Sequence, residues 1–252
     1  MSSDNYRGYF WDVGASAATP STAGSVNASN SWVNTTTGVE LQKVIGTGNN
    51  STIGHNLGAE PTMIWMKKSD DSWLVYHKLY GGDKFAKLDT TDAFQDNSNP
   101  WNDTDASSTV YSVGAASFGN TNTYYNWLFT DVPGFSRFGA LRGTGSITGS
   151  SWAYCGFRPA FVMVQNATGT TRSHKNWYFY DVKGNPNVAG NYRSSYGSFN
   201  KDKEEYTDTD RAIGIYANGF QFRTDDVNTN ENNSYYVFAA FAEHPFKIAR
   251  AA

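Results

Sequence analysis

Apolar residues in this chain come in short bursts between polar turns. Thr62-Met63-Ile64-Trp65-Met66-Lys67 follows Pro61, is of strand length and has no helix start signal before it. Ser72-Trp73-Leu74-Val75-Tyr76-His77 is rich in aromatic and branched residues, and Asp70-Asp71 ahead of it suits a hairpin turn. Lys84–Leu88, Val110–Val113 and Tyr124–Thr130 also read as strands, and β signals begin at Val39. A second series follows in Ala160–Gln165, Asn176–Asp181, Ala212–Tyr216, Gly219–Arg223 and Tyr235–Phe241, with Asn218-Gly219 as a turn. No amphipathic run of helical period carries caps, and only Phe246–Ala252 reads as a weak helical turn. Many short strands with Gly, Asn and Asp turns predict an all-β fold of antiparallel, jelly-roll-like sandwiches.

The two series are copies. Gly46-Thr47-Gly48 and Gly58-Ala59-Glu60-Pro61 are echoed by Gly143-Thr144-Gly145 and Gly156-Phe157-Arg158-Pro159. Trp73-Leu74-Val75-Tyr76 answers Trp177-Tyr178-Phe179-Tyr180, and Pro133-Gly134-Phe135 answers Pro245-Phe246. The Asn/Thr-rich stretch before Tyr124-Tyr125 answers the one before Tyr235-Tyr236. The offset drifts from 98 residues (159 − 61) to 112 (245 − 133), as loop insertions produce. The echo predicts two tandem β-sandwich domains, 39–139 and 140–252, each long enough for a modest core.

Residues 1–38 read as an arm. Gly14 to Thr37 is nearly all Ala, Ser, Thr, Gly and Asn and cannot bury enough apolar area to fold alone. It is expected to order on a neighbouring subunit of a homotrimer, with Phe10, Trp11 and Trp32 as apolar anchors.

Composition narrows the function. A net charge of −3 argues against nucleic acid as a partner. With 17% charged residues among abundant Asn, Ser, Thr and Gly, the surface is polar but weakly charged, as in extracellular or virion proteins. The single cysteine, Cys155, allows no internal disulfide or Cys-based zinc site and reads as a small buried residue. The N-terminus shows no secretory signal, and no apolar run approaches the ~18 residues that insertion into a membrane needs. Release by lysis inside a virus particle fits this pattern. The Asn-x-Ser/Thr sequons are expected by chance in such a composition.

Aromatics make up 16% of the chain. On a β-sandwich surface they can stack on the apolar face of sugars, although most are expected in cores. The best exposed candidate is Trp101, in a loop with Asn102 and Asp103, which together form the expected binding site. His55, His77, His174 and His244 show no metal-ligand spacing, so no metal or cofactor is expected. Carboxylates cluster at Asp89/Asp92, Asp103/Asp105, Asp202/Glu204/Glu205 and Asp208/Asp210, but proximity in sequence does not place two across a cleft. No Gly-x-Ser-x-Gly, phosphate loop or dinucleotide motif is present, and no catalytic residue is assigned.

Several motifs carry a resemblance. Gly58-Ala59-Glu60-Pro61, Trp73 to His77, Leu88-Asp89-Thr90-Thr91-Asp92-Ala93, Trp101-Asn102-Asp103-Thr104, Pro133 to Gly139 and Phe241 to Lys247 occur in order. From about residue 40 onward the chain resembles a domain found at the C-terminal ends of bacteriophage tail-fibre and other virion proteins, many from phages of marine and cyanobacterial hosts. The resemblance implies a virion component; with no catalytic constellation in the sequence and with its aromatics, the expectation is a non-enzymatic part of the particle surface that contacts other virion proteins and a host-surface glycan. A tail fibre or adhesin-like part is the favoured expectation. Alternatives are a head-decoration protein braced by the arm, and a glycan-degrading tailspike enzyme with a facing carboxylate pair.

Overall fold

The apolar bursts after the two prolines become the central strands of two large sheets. A computed structural model describes residues 9–149, 151–168, 175–182, 191–201 and 205–246. The first large sheet runs in the order β1 (Asn30–Asn34), β2 (Val39–Ile45), β9 (Thr123–Phe129), β4 (Met63–Lys68), β5 (Leu74–His77), β6 (Lys84–Lys87) and β7 (Gln95–Asp96). The second runs β10 (Ser136–Arg142), β19 (Tyr235–Ala242), β12 (Pro159–Asn166), β13 (Tyr178–Asp181), β15 (Ser195–Ser198) and β16 (Tyr206–Thr207). A smaller sheet covers each: β3 (Ser51–Gly54) with β8 (Val110–Val113), and β11 (Trp152–Tyr154), β18 (Gly219–Phe222), β17 (Ile213–Tyr216) and β14 (Tyr192–Arg193). The fold is therefore all-β, in two sandwiches that share a core strand order; β1 is added to the first, and β17 and β14 to the second. Among the described residues, one short α-helical turn, α1 (Val227–Asn230), and one 3-10 turn interrupt the second. The helical turn expected at Phe246–Ala252 falls almost wholly outside the described residues.

The copies match residue by residue. Ile64 pairs with Tyr76, and Val162 pairs with Tyr180. Gly46 donates its N–H to Asn122 and Gly143 to Ser234; Gly48 donates to Phe118 and Gly145 to Asn230. Gly48 and Gly145 both take positive φ, 71° and 63°, which a residue with a Cβ rarely adopts. One echo is out by a residue. Tyr124 corresponds to Tyr236, because both point inward and accept an N–H from five residues earlier, Gly119 at 2.8 Å and Glu231 at 2.7 Å. A one-residue slip would move either ring to the opposite face.

Three apolar clusters result. Two fill the sandwiches, one around Ile53, Ile64, Tyr76 and Phe118, the other around Val162, Tyr180, Phe220 and Phe222. The third lies between the large sheets and joins Met63, Trp65 and Phe129 to Phe161, Met163 and Trp177. The order of layers is therefore small, large, large, small. Polar links cross the central seam: the Trp177 indole N–H donates to the Lys87 carbonyl, and the Gln165 amide to the Asp92 carbonyl, both at 2.9 Å.

Two expectations are corrected. The boundary at 139/140 cuts β10, since Ser136–Arg142 pairs along its whole length with β19. The described part of the arm, from Tyr9 on, packs on its own chain. Trp11 meets Trp65, Phe129 and Phe241 with ring centroids 5.9–6.0 Å apart, wedged where the two copies join. Val26 donates its N–H to Thr52 along the β3 edge, and Trp32 lies on β1 in a cross-strand row with Leu41, Trp127 and Trp65. Buried Glu40 fastens the arm by accepting from the Ser31 hydroxyl at 2.8 Å and the Asn56 N–H at 2.6 Å. A Ser/Thr-rich segment gains order this way because a sheet edge offers unpaired backbone groups. Phe10 alone of the three expected anchors stands in solvent, 94% exposed.

Candidate functional site

The expected site at Trp101 is not a surface. The indole is buried within the first core, edge-on to Tyr76 at 5.7 Å. Asn102 and Asp103 take positive φ, 52° and 46°, and turn the loop so that Trp101 points inward. Burying an indole inside the sandwich removes far more apolar area from water than a loop tip could leave exposed. Asp103 stays exposed and Asn102 half-buried, so no aromatic accompanies them at the surface.

Exposed aromatics occur at several places, among them Tyr125 and Tyr235, but the outer face of the four-stranded small sheet gathers them from neighbouring strands. Strand β11 alternates in an unusual sense. Ala153 and Cys155 point into the core, while Trp152 and Tyr154 face solvent, 44% and 66% exposed. Alternate residues of a strand point to opposite faces, so the strand register places their companions. Trp152, Gln221, Gly214 and Tyr192 form one row across all four strands. At about 4.8 Å per strand the row spans about 14 Å. Tyr154, Gly219 and Tyr216 form the next row. The Trp152 and Tyr216 rings lie 5.1 Å apart, tilted by 44°. A Cβ on Gly214 would sit 2.6 Å from the Tyr216 ring, so this glycine lets the ring lie across the sheet. The inner face carries Phe220, Phe222, Ile213 and Ile215, all buried, which holds the platform rigid from behind.

This face can present aromatic rings to the C–H faces of a sugar chain, with the Gln221 amide and tyrosine hydroxyls for its hydroxyl groups. The exposed Arg223 lies on the same face, two residues from Gln221. The sequence signal was legible in Ser151-Trp152-Ala153-Tyr154-Cys155: large aromatics alternating with small residues imply that the small ones face a filled core.

The carboxylate clusters have local roles. Asp105 accepts the Gly82 N–H at 2.8 Å, and Asp92 accepts the Thr90 hydroxyl at 3.2 Å. Asp208 caps the 3-10 turn through Asp210 N–H and pairs with Arg211 at 3.1 Å. Asp202 and Glu204 lie outside the described residues. Among the histidines, His55 meets the Ser107 carbonyl at 3.1 Å, and its burial lowers its pKa. His77 is buried between the large sheets, and burial lowers its pKa to about 4. His244 is exposed, and His174 lies outside the described residues. No group of three or more His, Cys, Asp or Glu that could hold a metal ion occurs among the described residues. Cys155 is buried, and loss of hydration pushes its thiol up to about 12.

The chain belongs to a family described as a domain of unknown function (DUF7483), whose model matches residues 1–245, taking in the arm and both copies. No curated protein and no solved structure matches it.

Proposed function

We propose that this chain is a non-enzymatic component of a phage particle surface, a tail fibre or adhesin-like part, that recognises host-surface polysaccharide through the outer face of β11, β18, β17 and β14. The virion setting rests on the resemblance carried by the motifs quoted above. The recognition role rests on one observation: Trp152, Tyr154 and Tyr216 are gathered on the solvent face of a sheet whose other face is fully packed. Solvent-facing rings add nothing to that core, whereas a flat aromatic surface beside an amide suits an extended sugar chain. The carboxylates described above serve as caps and ion-pair partners, and no hydrolytic role is assigned to them. Each platform binds weakly; display of several copies, in the proposed trimer, sums weak contacts into firm attachment.

The test is a binding assay on host envelope polysaccharide with purified protein and the W152A/Y154A variant. Both side chains are exposed, so the variant is expected to keep the wild-type melting temperature. Its affinity is expected to fall at least about tenfold, as loss of central aromatic contacts does. Wild-type affinity in a folded variant overturns the assignment, as does release of reducing ends that a single carboxylate change abolishes.

A further inference from the structure

Each sandwich has a cleft at the end of its core beside β5 or β13, about 290 Å³ against Met66, Leu74 and Phe85 in the first and about 230 Å³ against Tyr178, Tyr196 and Arg211 in the second, and larger side chains narrow the second. In the second copy the end of the core beside β13 is narrowed by Tyr178, whose hydroxyl meets the Asn176 and Asn228 side chains at 2.7 and 3.5 Å. Asn228 sits on α1. Register and the shared loop hydrogen bonds identify the counterparts. Tyr178 answers Leu74, since Val164 pairs with Tyr178 as Met66 pairs with Leu74. Asn228 answers Ala116, since Asn230 and Phe118 accept the N–H of the equivalent glycines. Both narrowing groups are thus truncated in the first copy, which leaves the wider cleft there.

The same substitution of partners brings charge into the cleft. Asn166 and Ser198 in the second copy are replaced by Lys68 and Lys87 in the first, as the pairings across each sheet show. Lys87 lies in one cross-strand row with Met66 and Leu74, and Lys68 two residues beyond Met66. Both therefore stand on the face of the sheet that otherwise fills the core. An inward lysine at the open end of a sandwich loses hydration without a packing gain. The Lys68 ammonium is positioned by Asp70 and Asp71 at 3.4 and 3.6 Å. The Lys87 ammonium makes no ion pair among the described residues. The floor is apolar, with Met66, Leu74 and Phe85, and Asn99, Ser117 and the Asp71 that pairs with Lys68 stand at the walls.

We infer that this cleft is a second saccharide site, selective for a sugar unit that carries an acidic group. The acidic group meets Lys87 and Lys68, and the ring lies on the apolar floor. A carboxylate, a sulfate and a phosphate ester share this chemistry. The inference rests on the glycan-recognition reading above, and its variants leave the platform untouched.

The experiment compares wild type, K68M/K87M and L74Y/A116N against three oligosaccharide sets: uronate-containing, sulfated or phosphorylated, and neutral. Methionine keeps the apolar stems, and the second variant rebuilds the narrowing side chains that the other copy already carries. Both are expected to keep the wild-type melting temperature and neutral-glycan binding, and to bind at least one acidic set about tenfold more weakly. Which acidic set responds identifies the group. Acidic-glycan binding that is unchanged in both variants overturns the cleft alone. Wild type that binds only neutral glycans also overturns the cleft alone. Wild type that binds no glycan overturns the recognition reading with it.

Discussion

Acid should destabilise this protein through His77. The side chain ends β5, is fully buried near Phe94 at 6.5 Å, and accepts the Leu79 N–H on Nδ1 at 3.2 Å. That acceptor role places the proton on Nε2, which has no hydrogen-bond partner among the described residues. Loss of hydration is the one cause of its pKa falling from 6.5 to about 4. The sign follows directly. The folded pKa is depressed, so the unfolded chain binds the proton more readily, and stability is present above pH 6.5 and lost as pH falls towards 4. The gap between 6.5 and about 4 corresponds to about 3 kcal/mol in full, and about 2.5 kcal/mol of it is lost between pH 7 and pH 4.5. The perturbation is H77N, which keeps an acceptor near the Nδ1 position and cannot titrate. Urea unfolding at pH 7, 6, 5.5, 5 and 4.5 gives the stability of each protein. The variant carries a constant offset from the smaller side chain, so the slope with pH is the readout. Wild type should lose about 2.5 kcal/mol more than H77N over this range. Equal slopes, or a His77 ring resonance that titrates near 6.5 in the native state, would refute the reasoning.

Four further outcomes follow from the packing. W101A should cost about 3–5 kcal/mol in urea unfolding and leave polysaccharide affinity unchanged, because the indole fills the first core rather than meeting ligand. Y111F should cost about 1–3 kcal/mol, since its hydroxyl donates to Gln42 at 3.0 Å and accepts from Asn126 at 2.7 Å in a buried network. The triple change Q42G/Y111F/N126F, which builds in the second copy's Gly139 and Phe238 and removes the Tyr111 hydroxyl, should cost less than its single changes summed; additive costs would show that the network is not one unit. Cys155 should resist a thiol reagent at pH 8 in the native protein and react on addition of denaturant, because its thiol is buried and pushed up to about 12.

The fold class and the duplication were legible because both rest on local signals. Short apolar runs, turn glycines and paired prolines survive in order in the two copies, and register then follows from alternation. Positions that depend on partners distant in sequence were not legible. Trp101 looks like a loop-tip aromatic until Tyr76 supplies the pocket beneath it. Trp11 looks like an anchor for another chain until the seam between the copies supplies Trp65, Phe129 and Phe241. Lys68 and Lys87 look like ordinary strand charges until the sheet shows that both face inward. The platform was partly legible: Trp152 and Tyr154 alternate with small residues, but Tyr216 and Gln221 join them only through pairing across strands.

The arrangement of layers explains where the two copies could diverge. Each large sheet has both faces packed, one in its own sandwich and one at the seam, so most of its positions are tied to a neighbour. Where the sandwich interior does change, it changes in matched groups. Gln42, Asn126 and Tyr111 form a hydrogen-bonded set in one copy, and Gly139, Phe238 and Phe220 form an apolar set in the other, with Phe220 and Phe238 edge-to-face at 5.2 Å. Each set is self-consistent and a mixture is not, because a lone buried amide would lose its partner. The outer face of a small sheet and the open end of a sandwich carry no such tie. Those are the places where one copy bears Trp152, Tyr154 and Tyr216, and the other bears Lys68, Lys87 and the wider cleft. A seam that holds the copies in one fixed relation keeps the two surfaces at a constant separation; under the proposed glycan reading, a chain long enough to reach both would gain from the second contact without a further loss of orientation.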